Sequence, residues 1–326
     1  MKIYLSKSHS PYINQSIEYN LLKEKTEEDI LLLWLNDNAI IIGRNQNIFN
    51  EINEEFVKEK DIKVARRHSG GGAVYHDMGN ILFSLMTNRD KRVSYEEFLT
   101  PIIGFLNKLG VNATFHGRND VLVDGMKISG NAQFVLEDNL ATHGTLLFNA
   151  DLSVLNKALL TNKHKLEAKG IQSNRMRVTN IKEHIETEMN ADDFVRELIK
   201  YFEENGNGQL HEIPQHIIDN AIEMSKEMMT YEWIYGKSPD AKINNKIKFD
   251  GGNISVSLNV ISGKISDLKI HGDFLSLKDV EYVCNLLNGT NFTKKSIEEV
   301  LKTINLKEYF GSLTLENLIE VISGEK

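Results

Sequence analysis

Apolar positions along the chain fall into short runs and helical stripes, and the order of these patterns predicts the elements. "KIYLS" at residues 2–6 reads as a strand, and "YINQSIEYNLLKEK" as an amphipathic helix with Ile13, Ile17 and Leu21 on one face. "DILLLWL" and "AIIIG" are apolar runs of strand length, separated by the turn-like "NDN". "NEEFVKEKD" predicts a short helix, and "KVARR" a strand that runs into the glycines of residues 70–72. "AVYHDMGNILFSLMT" carries two further strands, broken at Met78-Gly79-Asn80. The helix "SYEEFLTPIIGFLNKLG" follows, closed by Gly110. Residues 113–151 are rich in strand patterns, with Asp124-Gly125 as a hairpin signal, and residues from about 152 to 230 read as mostly helical.

The pattern changes again near residue 243. "KIKFDGG", "ISVSLNVISG" and "KISDLKIHG" alternate like three strands of a meander, with turns at Gly251-Gly252 and Gly263, and helices complete the chain. This predicts two domains, residues 1–243 and 244–326, with the polar "KSPDAKINN" as a candidate hinge. Strands joined by short turns favour mixed or antiparallel sheets over a regular βαβ series, so the expected class is α+β in both parts.

Charge and cysteine content narrow the chemistry. The formal net charge of −8 argues against a nucleic-acid partner, which requires basic surface to neutralise phosphates. The first residues, "MKIYLSKSHSPYINQ", have no apolar core of signal-peptide length, and the longest apolar runs are strand-sized. A cytoplasmic protein with no membrane partner is the expectation. The single cysteine, Cys284, leaves no internal disulfide and no cysteine-based zinc cluster. Its neighbours Val280, Val283, Leu286 and Leu287 have helical spacing, which suits a small core residue better than a nucleophile.

Candidate chemistry gathers in three places. The first is "RRHSGGGAVYHD", residues 66–77: three adjacent glycines directly behind two arginines. Backbone N–H groups without Cβ atoms can form a nest for phosphate or carboxylate oxygens, and an arginine can hold phosphate with a planar fork. A plain glycine turn with two surface arginines fits the same residues. Neither familiar nucleotide loop is present. The only Gly-Lys-Ser, at 236–238, has Tyr231 where a Walker A needs glycine, and 70–75 reads "GGGAVY" where a Rossmann loop needs Gly-x-Gly-x-x-Gly.

The second place is "GRNDVLVDGMKISGNAQ", residues 117–133. Lys127 starts a strand after the hairpin turn, flanked by Met126 and Ile128 and followed by Ser129-Gly130, where a ligand could approach the backbone. It also fits a solvated strand-edge charge. Asp120 suits either a Mg²⁺ ligand beside substrate phosphates or a turn carboxylate. The third place joins "THGTLLFNADLSVL" at 142–155 with "KGIQSNRMRVTNI" at 169–181, where His143 either contacts a ligand or caps a strand. The histidine spacings give no structural metal site.

Taken together and in order, these blocks resemble the lipoate–protein ligase family. The matching pieces are "RRxSGGGAVxHD" from Arg66 to Asp77, "GRND…KISG" from Gly117 to Gly130, "HGTLL" from His143 to Leu147 and "KGIxSxRxRVTN" from Lys169 to Asn180. "WLNDNAIIIGRNQN", from Trp34 to Asn47, looks like the family's early strand pair, and the meander with its helices looks like the accessory domain of two-domain bacterial members. The resemblance implies a mixed-sheet catalytic domain of the biotin/lipoate ligase type with a small α+β C-terminal domain. It implies a ligase that activates lipoate with ATP and Mg²⁺ to lipoyl-AMP and pyrophosphate. The lipoyl group then passes to a lysine of lipoyl domains of 2-oxoacid dehydrogenase complexes or of the glycine cleavage H protein.

By the same resemblance, Arg67, Gly72, Ala73, Val74, Tyr75, Lys127 and Asp120 would bind ATP or the adenylate. Ser69, Gly70, Gly71, Trp34, His143 and Lys127 would bind lipoate, with Lys127 catalytic and Asp120 a candidate Mg²⁺ ligand. Rotation of the C-terminal domain between steps is a further implication. Relatives that pass the acyl group through a cysteine thioester are excluded for this domain, since no cysteine precedes residue 284. An acyl ligase favouring octanoate, and a non-catalytic protein that binds lipoyl domains or lipoyl-AMP, are the alternatives.

Overall fold

The apolar run Ile30–Leu35 is buried along its whole length, as a strand covered on both faces must be. It lies in the large sheet of a computed structural model that describes residues 1–25, 27–88, 94–117, 119–159, 178–205, 208–238 and 240–324. The strands are β1 (Lys2–Leu5), β2 (Ile30–Leu35), β3 (Ala39–Ile42), β4 (Lys63–Arg66), β5 (Val74–His76), β6 (Asn80–Asn88) and β7 (Ala113–His116). They continue as β8 (Asp120–Val123), β9 (Met126–Leu136), β10 (Asn139–Leu147), β11 (Gln209–His211), β12 (Ala241–Phe249), β13 (Gly252–Ile261) and β14 (Lys264–Gly272).

Eight strands form one sheet in the order β11-β1-β2-β6-β10-β9-β8-β7. β1 runs parallel to β2 and β11, and the remaining pairs are antiparallel, so the sheet is mixed as the short connections suggested. On one face, Leu31, Leu33, Phe83, Phe148 and Ile128 pack against the helices Tyr95–Lys108 and Ala191–Glu204 through Phe98, Phe105 and Phe194. On the other, Leu32, Trp34, Leu82 and Phe134 meet Ile17 and Leu21 of the helix Pro11–Lys23 and Ile217 of the helix Gln215–Met228.

The strands on either side of "NDN" do not pair with each other. β2 joins the large sheet, whereas β3 lies in a second sheet of order β4-β3-β5, parallel to β4 and antiparallel to β5. The buried Asn14 holds this crossing, donating to the carbonyls of Ser8 and Leu35 and to Asn36 Oδ1 at 2.9–3.0 Å. The crossing matters for function: β4 and β5 carry the glycine loop on a separate sheet that faces the large one.

The chain divides into two compact units, Met1–Thr230 and Tyr231–Lys326. The division falls before the boundary read near residue 243, because the turn around Tyr231 belongs with the meander: the Tyr231 hydroxyl donates to the Gly263 carbonyl at 2.6 Å. Residues 241–245 of the candidate hinge are part of β12, paired with β13. In the second unit β12, β13 and β14 form an antiparallel meander with Ile254, Val256, Leu258 and Val260 buried. Four helices follow: Glu281–Leu287, Lys294–Leu301, Leu306–Phe310 and Leu315–Ser323. Cys284 is buried on the first of them, and burial pushes its thiol above the ordinary value, which suits a core residue. No helix among the described residues is long and apolar enough to cross a membrane.

Candidate active site

The two arginines before the glycines leave β4 on opposite duties. Arg66 is 1 % exposed, and its Nη1 donates to the carbonyls of Gly43, Arg44 and Gln46 at 2.8–3.2 Å, so it pins the turn after β3. Arg67 folds back into its own loop. Its Nε donates to Ser69 Oγ at 3.0 Å, Nη2 to the carbonyls of Gly70 and Gly72 at 2.7 and 2.8 Å, and Nη1 to the Ile41 carbonyl at 3.1 Å. Burial lowers both guanidinium groups to about 10, with the Glu18 carboxylate opposing the shift at Arg67. Both stay charged at neutral pH.

The glycine run is explained by its neighbours. Gly71 has φ +94°, a region that favours glycine, and its carbonyl oxygen lies 2.1 Å from where a Cβ on Gly43 would stand. A Cβ on Gly70 or Gly72 would meet nothing within 4 Å. The run is therefore a loop pressed against the β3 turn at one glycine and open at the other two.

Lys127 is aimed by an irregularity in the ladder. Val121 opposes Ser129 and Leu122 opposes Lys127, so β9 carries one extra residue, Ile128, at this point. Such a bulge shifts the alternation of side chains by one. Ile128 stays in the core, fully buried, while Lys127 comes to the same side as Gly130. A Cβ on Gly130 would stand 2.9 Å from Lys127 Nζ, so the bare backbone there gives the lysine its path. Nζ pairs with Asp120 Oδ1 at 2.6 Å, and the Lys127 side chain remains 31 % exposed. The Lys127 carbonyl accepts from Thr179 N at 3.1 Å, and Asn180 exchanges two hydrogen bonds with the Ala150 backbone. The tail of the "KGIQSNRMRVTN" block thus returns beside the lysine; Lys169–Arg177, like Arg118, lies outside the described residues.

A cavity of about 490 Å³ opens between the two sheets of the first unit. Trp34, Arg67, Gly71, Gly72, Ala73, Val74, Tyr75, Lys127 and His143 line it, bringing together most of the positions singled out in the sequence. Three of those positions stand elsewhere. Ser69 is 1 % exposed, behind Arg67; Gly70 serves as an acceptor for Arg67; Asp120 stands beside the Lys127 ammonium. Among the described residues no group of three or more His, Cys, Asp and Glu side chains could hold a metal ion.

The wall also holds polar groups that the sequence did not single out: Gln15, Glu18, Asn36, His76 and Asn80. Both amide atoms of Gln15, Trp34 Nε1, His76 Nε2 and Asn80 Oδ1 are buried without a hydrogen-bond partner. Buried polar atoms rarely remain so unless something else satisfies them, and here all of them belong to the lining of one cavity. His76 Nδ1 accepts from Asn36 Nδ2 at 3.1 Å. Burial, together with Arg67 and His143, lowers this imidazole to about 3, so it is neutral and its unpartnered Nε2 carries the proton. His76 falls within the family-like block "RRxSGGGAVxHD" but was given no role there; Gln15 and Glu18 gave no signal, because on a helix they read as ordinary polar positions.

Comparison with known proteins identifies the family. Residues 10–203 match the lipoyl protein ligase A/B catalytic domain, and residues 238–322 match the bacterial lipoate protein ligase C-terminus. The chain is 41 % identical over 321 residues to lipoate-protein ligase LplJ of Bacillus subtilis, covering 96 % of this chain and 97 % of that one. Among solved structures, LipL1 of P. falciparum in complex with lipoate aligns over 100 % of both chains, with 29 % identity and a TM-score of 0.62. A bi-partite lipoate protein ligase of Thermoplasma acidophilum, described with its E2 lipoyl domain, aligns at 25 % identity and a TM-score of 0.62, covering 73 % of this chain and 97 % of that one. With both family regions matched in order and nearly the full length shared with a relative above 40 % identity, the chain belongs to the lipoate–protein ligase family, a family of ATP-dependent ligases.

Proposed function

We propose that the chain activates lipoate with ATP, forming lipoyl-AMP and pyrophosphate, and transfers the lipoyl group to a lysine of a lipoyl domain. The observation that carries this reading is the pair of cations, Arg67 and Lys127, facing one cavity that is otherwise largely apolar. In the first step a lipoate carboxylate oxygen attacks the α-phosphorus, a P–O bond forms, and the bond to pyrophosphate breaks. Two anions must approach each other. A cation between them lowers the repulsion and stabilises the charge that grows in the transition state. Lys127, a compact point charge with three N–H donors, suits that position. Arg67 would hold the nucleotide phosphate from the glycine-loop side, with Gly72, Ala73, Val74 and Tyr75 along the nucleotide and Trp34 along the acyl chain.

In the second step the neutral amine of the acceptor lysine attacks the anhydride carbonyl. AMP leaves, and the amine proton passes to solvent or to the departing phosphate. Lys127 can stabilise that phosphate as it departs. No protein nucleophile is required, which agrees with a first unit that contains no cysteine. Magnesium would arrive with the triphosphate. Asp120 could add one carboxylate oxygen once Lys127 turns to the substrate, and no step is assigned to the metal itself.

The lipoate complex of LipL1 and the lipoyl domain described with the Thermoplasma ligase support the substrate and the acceptor class. The testing experiment is incubation with ATP, Mg²⁺, lipoate or octanoate, and separate acceptors: an E2 lipoyl domain and a glycine cleavage H protein. An acceptor mass increase equal to one lipoyl group, dependent on ATP, is expected. A gain with octanoate alone would favour a different acyl acid, and no gain with either would overturn the reading.

A further inference from the structure

A buried carboxylate unused by these steps lies beside the cavity. Glu18 is 2 % exposed, and its Oε1 stands 2.8 Å from His143 Nδ1. On the far side of the imidazole, Nε2 is 2.7 Å from Ser69 Oγ, and that hydroxyl oxygen accepts the Arg67 Nε–H at 3.0 Å. Donor and acceptor roles follow from the two ends. A carboxylate only accepts, so His143 Nδ1 carries a proton; where Nε2 carries none, it accepts from the Ser69 hydroxyl, which also lies 3.4 Å from the Gly70 carbonyl. The Ser69 lone pairs are left for Arg67. In that tautomer donation runs one way along the whole chain, from the guanidinium to the carboxylate.

The order Ser-His-Glu is that of a nucleophilic triad, yet two observations rule out attack by Ser69. Its side chain is 1 % exposed and does not line the cavity, and a cation holds its oxygen, which withdraws the electron density a nucleophile needs. Burial of Glu18 raises its carboxyl, and His143, Ser84 and His68 pull it further in the other direction, so it stays ionised. His68 is itself in ring contact with Tyr19, tilted at 4.8 Å, and with Phe134, stacked at 5.7 Å, so the cluster is packed in place.

We propose that Glu18, His143 and Ser69 are positioning residues: they form a relay that fixes the Nε edge of Arg67, so that the guanidinium meets the nucleotide in one orientation. The relay rests on the adenylation reading above. It gives His143 and Ser69 a role directed at Arg67 and not at the acyl chain, and it adds Glu18 to the machinery of the first step.

The test joins a spectroscopic readout to steady-state kinetics on the full chain. ¹⁵N-histidine NMR of the unsubstituted protein should show His143 neutral with the proton on Nδ1. Glu18→Gln should move that proton to Nε2, because the new amide can donate to Nδ1. Both Glu18→Gln and Ser69→Ala, which breaks the link without touching the carboxylate, should raise the ATP KM by at least about tenfold, the scale of one charge-assisted contact, while the lipoate KM stays near its original value. A proton on Nε2 in the unsubstituted protein, in the Nε2–H tautomer or in an imidazolium, would overturn the relay even if neither variant folds. A lowered melting temperature with an unchanged ATP KM in both variants would reduce the three residues to packing and also overturn it. Failure of the unsubstituted protein to form lipoyl-AMP would overturn the adenylation reading, while the tautomer measurement would still report on the relay's geometry.

Discussion

The two cations of the cavity are held in opposite ways. Arg67 is braced at Nε and at both terminal nitrogens by acceptors of its own loop and of β3. Among the described residues Lys127 has one ion pair, to Asp120, and its side chain is partly exposed. On the proposed adenylation the difference would give them different work. A charge committed to the backbone is preorganised and does not reorient during a reaction, which suits holding a bound phosphate. A charge on a flexible stem with a single exchangeable partner can leave it, touch two oxygens at once and follow the phosphate as it departs. The protein thus pairs a fixed wall with a movable contact.

The largest effect is expected at the movable side: Lys127→Ala should slow adenylation by roughly a hundredfold to a thousandfold, in the range of a lost transition-state contact. Its melting temperature should change little, because the side chain is part-exposed with one ion pair. Calorimetry and single-turnover formation of lipoyl-AMP check both halves. At the fixed side the two readouts should move together. Arg67→Ala should weaken ATP binding by about 1.5–3 kcal/mol and also lower the melting temperature, since the carbonyls of Ile41, Gly70 and Gly72 lose their donor. Isothermal titration and thermal denaturation separate these.

Two glycine substitutions sharpen the contrast. On Gly43 a methyl group would stand 2.1 Å from the Gly71 carbonyl oxygen, which is backbone and must shift. Gly43→Ala should therefore destabilise by about 1–3 kcal/mol, the usual cost of overpacking, and impair ATP binding with it. On Gly130 the nearest atom is the tip of Lys127, which can swing away. Gly130→Ala should leave stability nearly intact while altering the adenylation rate, a split read by denaturant titration beside the rate assay.

The smallest effect per unit change concerns acid. In the folded protein His76 titrates at about 3, against 6.5 for a free histidine, so between those values the unfolded chain binds a proton that the folded one does not. Stability should accordingly be full above about pH 6.5 and fall as the pH is lowered, with this group contributing up to about 1.4 kcal/mol per pH unit. His76→Gln should flatten that part of the profile in urea titrations across the range; an unchanged slope would contradict a neutral, buried His76.

Much of this arrangement was legible in the sequence, for physical reasons that can be named. Three glycines behind paired arginines stand out because few backbones need them, and a lysine followed by Ser-Gly signals an open strand. The meander was legible because its Gly turns and alternating strands act over neighbouring residues. What failed to show depends on contacts distant in sequence. Nothing in "NDN" tells β2 and β3 to enter different sheets, since that choice is made by Asn14 and the partners of each strand. The bulge at Ile128 is invisible in the alternation, because "MKIS" reads equally well in either register. Glu18 looked like any polar helix position, and its main charged partner is a histidine 125 residues away. The division of labour between Arg66 and Arg67 likewise needed the turn at Gly43–Gln46 to be in place.

Whether Arg67 and Lys127 serve one adenylation site is read by lipoate-dependent exchange of radiolabelled pyrophosphate into ATP, with the unsubstituted protein and Lys127→Ala side by side. Exchange that requires lipoate is expected in the unsubstituted protein, nearly abolished in the folded variant. Exchange at equal rates in both, or none in either with lipoate or octanoate, would contradict it.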